Sequence, residues 1–370
     1  MKIGILDADY LSSNIFNYPN LALMKISNFH KSKGDIVEFI DYQKTLDLFS
    51  KQFDKFYLSK VFSEPKLPKF ISDNSNIIKG GTGLYFDKSP LLNSEIEHFM
   101  PDYNLYKPIY KNINPTKLKY FTDFSIGFYT KGCIRKCDFC VNKNSTSVLR
   151  HHKLNDFVDN TRPNIMLWDD NIVAYPKFKE AIEELNNTNK PFVFKQGLDI
   201  RLLTKEKMEI LFNSNYYSSN NSKVTRIFHF AFDNIKDYDL IEKRLKTYYL
   251  EVKKYSFKVF FYCLTGFDFN NKYDTDFFLN DSFSLIKRIK LLFKYNAYPY
   301  IMQHENLKLN PNKEAIEQLR RLCNSPMLIT NKTIKEAAEQ SNFSKMIDYF
   351  SKIDKTFLDI TFNSRLFNCL

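Results

Sequence analysis

No run of about 18 consecutive apolar residues occurs in this sequence, so no membrane-crossing helix is expected. Nor does the opening MKIGILDADY look like an export signal. Acids stand at Asp7 and Asp9, directly after a short apolar run, where a secretory signal would continue its apolar stretch. The expectation is a cytoplasmic protein. Only six cysteines are present, three of them between positions 133 and 140 and the others at Cys263, Cys323 and Cys369. That uneven grouping argues against a disulfide framework. Glycine is scarce, with nine residues, and tryptophan occurs once. No internal repeat or long low-complexity tract breaks the chain.

Against these absences stand 36 Phe and 23 Tyr in 370 residues. With abundant Lys, Asn and Ile, the skew resembles an AT-rich coding bias, so these counts carry little functional weight. Lys and Arg number 54 against 42 Asp and Glu, a net charge of +12. A basic balance favours a polyanionic partner such as RNA. Lys-rich solvated surface explains the same excess, because the basic residues are spread out along the chain.

A chain this long is expected to hold more than one core. Lys2–Asp7, Asp35–Ile40 and Lys55–Phe62 read as strands, with a helix over Asn20–Lys31 and a glycine turn at Gly80-Gly81-Thr82-Gly83. Strand–helix–strand order predicts a doubly wound, Rossmann-like α/β domain over residues 1–118. Residues 101–120 carry three prolines and read as an irregular connection. Beyond them, strands are expected at Phe124–Tyr129, Asn164–Trp168, Phe192–Lys195, Arg226–Phe230, Lys258–Leu264 and Ala297–Met302. Helical stretches lie between them, including Phe178–Asn186, Lys205–Phe212, Ile235–Tyr248 and Phe283–Tyr295. This alternation predicts a partial (β/α)6 TIM-type barrel over 119–310, followed by a helical region over 311–370.

The decisive segment is Gly132-Cys133-Ile134-Arg135-Lys136-Cys137-Asp138-Phe139-Cys140, directly after an expected strand. Parallel barrels place their sites at the carboxyl ends of strands. Three thiolates so close together can ligate three irons of a [4Fe–4S] cluster and leave the fourth open to a cofactor or substrate. A structural zinc site is the competing explanation. It normally needs four ligands; one Cys-x2-Cys pair is present, and His151 or His152 would have to complete the set.

This segment resembles the hallmark of the radical S-adenosylmethionine (SAM) superfamily, Cys-x3-Cys-x2-Cys with an aromatic before the last cysteine. The resemblance implies that Cys133, Cys137 and Cys140 hold the cluster and that SAM chelates the open iron. It also implies reductive cleavage of SAM to a 5′-deoxyadenosyl radical, fed by a reductant such as flavodoxin or ferredoxin. Phe139 would lie near the adenine. Weaker matches extend over about residues 120–305. Trp168-Asp169-Asp170-Asn171 resembles the acidic turn that holds the SAM amino group, although Asp and Asn also favour loops and helix caps. Gln196 and Arg201 could meet the SAM carboxylate or the substrate, and Arg201 could equally pair with Asp199. Asp233 resembles a ribose-contacting position, with helix capping as its ordinary alternative. Gly266 resembles a turn beside the adenine, in a segment that departs from the family's glycine-and-glutamate pattern. His304 could reach substrate or be a hydrogen-bonded core residue.

Residues 1–100 resemble the cobalamin-binding domain that many radical SAM enzymes carry. The family's Asp-x-His-x-x-Gly loop is absent, and Asp7-Ala8-Asp9-Tyr10-Leu11 stands in its place. The expectation is a cobalamin-domain-like fold that binds none. Gly80–Gly83 lacks a phosphate loop's Gly-Lys-Ser/Thr ending and reads as a tight turn against the second domain. Together these residues predict a radical SAM enzyme acting on RNA or a small metabolite. A non-catalytic iron–sulfur or zinc sensor is the rival.

Overall fold

A computed structural model of the chain describes residues 1–11, 16–41, 53–63, 66–217, 226–252 and 257–362. Cys369 lies outside the described residues. The chain divides into two compact units, residues 1–170 with 190–195, and residues 171–189 with 196–370. The boundary expected near residue 118 separates two sheets, yet both sheets belong to the first unit.

In that unit β1 (Lys2–Asp7), β2 (Ile36–Phe39), β3 (Lys55–Ser59) and β4 (Ile77–Gly80) form a parallel sheet in the order β2-β1-β3-β4. Leu6, Ala8, Ile40, Leu58, Ile71 and Ile77 pack a buried cluster against it. The helix Leu21–Ser32 starts where the Asn20 side chain accepts the Leu23 N–H, satisfying an otherwise orphaned donor. The strand order reverses between β1 and β3, so the loops after them flank the crevice where doubly wound sheets take ligands. Here Asp9 fills that position, accepting the N–H groups of Val61 (2.9 Å) and Phe62 (3.2 Å). Gly81 has φ +104°, and a Cβ there would stand 2.0 Å from the Lys60 carbonyl oxygen. The glycine turn therefore packs against the loop after β3 of its own sheet.

The proline-bearing stretch 101–120 is more ordered than its composition suggests. Tyr103, Leu105, Tyr106 and Ile109 are buried. The Tyr103 hydroxyl donates to the Phe157 carbonyl (2.6 Å) and accepts from the Ile126 N–H (2.8 Å). Pro115 opens a helix, Pro115–Thr122, capped by Asn114; a proline in the first turn forfeits no helical hydrogen bond.

Next come β5 (Phe124–Gly127), a short antiparallel hairpin of β6 (Thr130–Lys131) and β7 (Leu149–Arg150), then β8 (Asn164–Leu167) and β9 (Phe192–Phe194). β5, β8 and β9 make a parallel sheet in the order β5-β8-β9. The whole of β5 and β9 is buried, as befits parallel strands covered on both faces.

The second unit contains β10 (Arg226–Ala231), β11 (Phe257–Thr265) and β12 (Tyr298–Gln303), parallel and in that order. Leu198 joins Phe230 through an isolated parallel bridge. The helices Phe178–Asn187, Lys205–Phe212, Tyr238–Val252 and Thr275–Lys294 belong to this unit, as do the later helices Lys313–Cys323, Ile334–Gln340 and Ser344–Ile353. The chain is thus an α/β protein with parallel sheets. Among the described residues, no helix is long and apolar enough to cross a membrane.

Candidate functional site

The three clustered cysteines lie in the loop of the β6–β7 hairpin, just beyond the carboxyl end of β5. Gly132 enters the loop with φ +101°, and a Cβ on it would stand 2.1 Å from the Ser147 carbonyl oxygen. Only glycine fits such a turn without a clash. Ser145 closes the loop from the other side, its Oγ accepting the Cys133 N–H at 3.1 Å. The backbone N–H of Arg135 donates to Cys133 Sγ (3.3 Å), and that of Asn142 to Cys140 Sγ (3.4 Å). Such N–H···S bonds to cluster sulfurs tune iron–sulfur sites. Cys133, Cys137, Phe139 and Cys140 are all half-buried.

Two carboxylates from the turn after β8 hold this hairpin in place. Asp170 accepts the Gly132 N–H on Oδ2 (2.8 Å) and the Asn142 amide on Oδ1 (2.6 Å). One side chain therefore fastens the loop immediately before Cys133 and just after Cys140. Asp169 grips the entry to the hairpin. It accepts the Tyr129 N–H (2.9 Å), the Thr130 N–H and the Thr130 hydroxyl (2.6 Å). It is 1% exposed, and burial pushes its carboxyl up to about 7 despite these donors. With both oxygens taken and no access, Asp169 acts as a hairpin anchor rather than a free acceptor for an ammonium group.

The remaining residues singled out from sequence fall in the second unit. Asn171 is buried, and its amide reaches Asp199 at 3.4 Å. Arg201 is an ion-pair residue: it binds Asp199 Oδ1 through Nε and Asp237 Oδ2 through Nη1, both at 2.6 Å. These carboxylates raise its guanidinium above the usual range against the pull of burial. Gln196 is exposed.

At the carboxyl edge of β10-β11-β12, Asp233 accepts the Leu264 N–H (3.0 Å), and burial raises its carboxyl. Asp281, from the helix Thr275–Lys294, accepts the Gly266 N–H (2.8 Å) and the Thr265 hydroxyl. Gly266 has φ +82°, and a Cβ there would lie 2.9 Å from Leu307 Cβ. His304 Nδ1 caps the turn that follows by accepting the Asn306 N–H (3.3 Å).

His151 and His152, which a zinc site would need as a fourth ligand, are committed to Glu97. His151 Nε2 meets Glu97 Oε1 at 2.7 Å. His152 Nδ1 meets the Phe128 carbonyl at 2.9 Å, and burial pushes its imidazole down to about 4. The Lys25 ammonium stands 3.0 Å from His152 Nε2 and 3.3 Å from Glu97 Oε1, while Lys131 reaches the same oxygen at 2.8 Å. The ligand atoms of Glu97, His151 and His152 lie within 4.8 Å of one another, but two ammonium groups already occupy their surroundings. This is an ion-pair network, and sequence reading gave no sign of Glu97 because its partners are remote in the chain. The three cysteines are not part of that grouping.

Cys263 and Cys323 are fully buried, and burial pushes the Cys263 thiol up to about 12 and Cys323 higher still. Thiols so hard to ionise are poor ligands.

No family model, curated protein or solved structure matches this chain.

Proposed function

We propose that the chain is a radical SAM enzyme whose cluster is held by Cys133, Cys137 and Cys140. The observation that supports it best is the double grip of Asp170 on Gly132 and Asn142, which fixes both ends of the three-cysteine loop at the carboxyl edge of a parallel sheet. Three thiolates on a fixed loop, two of them accepting backbone N–H groups, suit a [4Fe–4S] cluster that lacks a fourth protein ligand. Such a cluster, with SAM on its open iron and one electron from a reductant such as flavodoxin or ferredoxin, supplies cleavage to methionine and a hydrogen-abstracting 5′-deoxyadenosyl radical. The chain's own part is to place the Arg135 and Asn142 amides on Cys133 and Cys140 Sγ, and to fasten the loop through Asp170 and Asp169.

Within this reading the parallel strands between residues 124 and 303 form a partial (β/α)6 barrel. Residues 1–118 form a Rossmann-like, cobalamin-domain-like domain, in which Asp9 takes the amides that border the crevice between β1 and β3. Phe139, Asp170, Gln196, Asp233 and Gly266 remain the residues proposed to border SAM. Asp169 is proposed as an anchor of the hairpin and Arg201 as an ion-pair residue.

The test is anaerobic reconstitution with iron and sulfide, then dithionite and SAM. The expected product is 5′-deoxyadenosine from the wild-type chain and none from Cys137→Ala. Zinc at one equivalent, with no iron uptake and no 5′-deoxyadenosine, would establish the sensor or structural-zinc alternative instead.

A further inference from the structure

The loop after β3, the turn after β4 and the cysteine loop are joined at one place on the first unit. The Gly83 N–H donates to the Lys60 carbonyl (2.9 Å) and the Thr82 hydroxyl to the Val61 carbonyl (3.1 Å), which links the first two. Asp87 links the turn to the cysteine loop. Its Oδ2 pairs with the Lys143 ammonium at 3.3 Å and accepts the Asn144 amide at 3.2 Å, and these partners stand three and four residues after Cys140. The Lys143 ammonium also lies 5.3 Å from the centre of the Phe86 ring.

Large apolar side chains stand in solvent around this junction. Val61, Phe62, Tyr85 and Phe86, with Ile134 of the cysteine loop, are each between 40% and 47% exposed. One exposed apolar residue is ordinary, whereas several on adjoining segments mark a surface that another molecule covers. Phe86 is also strained. It has φ +49° and ψ −119°, a conformation that disfavours a bulky side chain. The fold spends free energy to hold this ring at the surface, and strain of this kind gathers at functional sites.

The charges beside these rings are mainly positive. Lys88 and Lys136 are exposed, and Arg135 and Lys143 are half-exposed. Against them stand Asp138 and Asp87, and Asp87 is spent on Lys143. Cations beside an apolar centre select a partner with acids beside its own apolar patch: charge steers the encounter, and the rings supply the contact. The radical SAM reading calls for a partner of this kind, since the cluster takes its electron from outside and the donor must come up against the loop that would hold it. Electron-transfer complexes are small and transient, in keeping with a patch of a few side chains.

We propose that Val61, Phe62, Tyr85 and Phe86, with Lys88, Lys136 and Lys143, form the docking surface for an acidic one-electron carrier protein. The proposal rests on the radical SAM reading and adds the place where its electron enters. The carrier's reduced flavin or iron–sulfur centre would lose one electron and the oxidised cluster gain it, with no bond made or broken.

Binding is measured directly. The reconstituted full-length chain is titrated with a purified flavodoxin and a [2Fe–2S] ferredoxin, both acidic, and with cytochrome c, which is basic. At least one acidic carrier should bind and cytochrome c should not, and the affinity should fall as salt rises from about 0.05 M to about 0.5 M. Phe86→Gly removes the ring and leaves a residue at ease with φ +49°. It should bind the carrier at least about tenfold more weakly while its denaturant midpoint stays close to the wild type's. Lys88→Glu should weaken binding and flatten its salt dependence, and Lys88→Arg should bind like the wild type. Dithionite, a small reductant that needs no docking surface, should bleach the cluster of all these chains alike. Neither carrier binding, binding indifferent to salt, or Phe86→Gly and Lys88→Glu chains that bind like the wild type each overturn the proposal. Self-association of the chain that Phe86→Gly abolishes would assign the surface to a second copy, and overturns it too. A chain that makes 5′-deoxyadenosine with dithionite but binds neither carrier sinks the docking surface alone. One that binds a carrier through Phe86 and Lys88 but makes no 5′-deoxyadenosine with any reductant sinks the radical reading alone.

Discussion

Asp169 and Asp170 are neighbours in sequence but hold different points of one hairpin. Asp170 accepts two hydrogen bonds at the ends of the cysteine loop, and bonds to an ionised acceptor contribute about 1.5–3 kcal/mol each. Asp170→Ala is therefore expected to speed loss of a reconstituted cluster to a chelator by roughly tenfold or more. Cys263→Ser and Cys323→Ser should leave that rate unchanged; bleaching of the cluster's visible absorbance measures all three. Gly132→Ala should prevent loading altogether, since its Cβ would meet the Ser147 carbonyl oxygen in a left-handed turn that disfavours side chains. Iron content per chain is the check.

Lys195 carries a pH signature of its own. Its folded value is about 8, against about 10.4 for an ordinary lysine. Between those values the unfolded chain binds more protons than the folded one, so stability rises as pH rises through the window. Lys195→Met should flatten that rise in urea unfolding compared at about pH 8 and about pH 10. Lys25, pushed down to about 8 by burial, contributes in the same direction in both chains, so the difference between them isolates Lys195.

The helix Thr275–Lys294 governs the carboxyl ends of β10 and β11. Arg288 is 1% exposed and donates through Nη1 to the Leu264 carbonyl at 2.9 Å and the Phe232 carbonyl at 3.0 Å. Seven residues earlier, two helical turns along the same face, Asp281 binds the Gly266 N–H. Arg288→Met would strand those carbonyls in a dry site and should destabilise the chain by about 3 kcal/mol. Asp281→Asn, which keeps an acceptor for the Gly266 N–H, should cost less. Denaturant midpoints compare the two.

These contacts also show where sequence reading stops. β1 was legible residue for residue because its apolar run is bounded by charge, and Lys205–Phe212 because Thr204 caps it. Thr275–Lys294 begins well before the expected Phe283, since its cap, Asp274, precedes a stretch whose acids and aromatics mask the period. The three cysteines were legible from their spacing. So was the alternative that Arg201 pairs with Asp199, two residues away. The tasks of Asp169 and Asp170, and the second partner of Arg201, Asp237, were not. Asp169 and Asp170 hold Tyr129 and Gly132, about 40 residues away, and Asp237 lies 36 residues beyond Arg201; spacing along a chain does not reveal which oxygens are already occupied.

At the scale of the molecule, the cysteine loop stands at the carboxyl edge of the β5-β8-β9 sheet, held there by Asp169 and Asp170. The proposed radical SAM chemistry would make that edge the reacting face. The most direct test of its centre is electron paramagnetic resonance of the reconstituted, dithionite-reduced chain, recorded before and after SAM is added. The expected result is a [4Fe–4S]+ signal whose g-values shift on addition, because on the proposed reading SAM would bind the iron for which Cys133, Cys137 and Cys140 would supply no ligand. A cluster signal that SAM leaves unaltered, or a chain that takes up zinc and gives no signal, would contradict it.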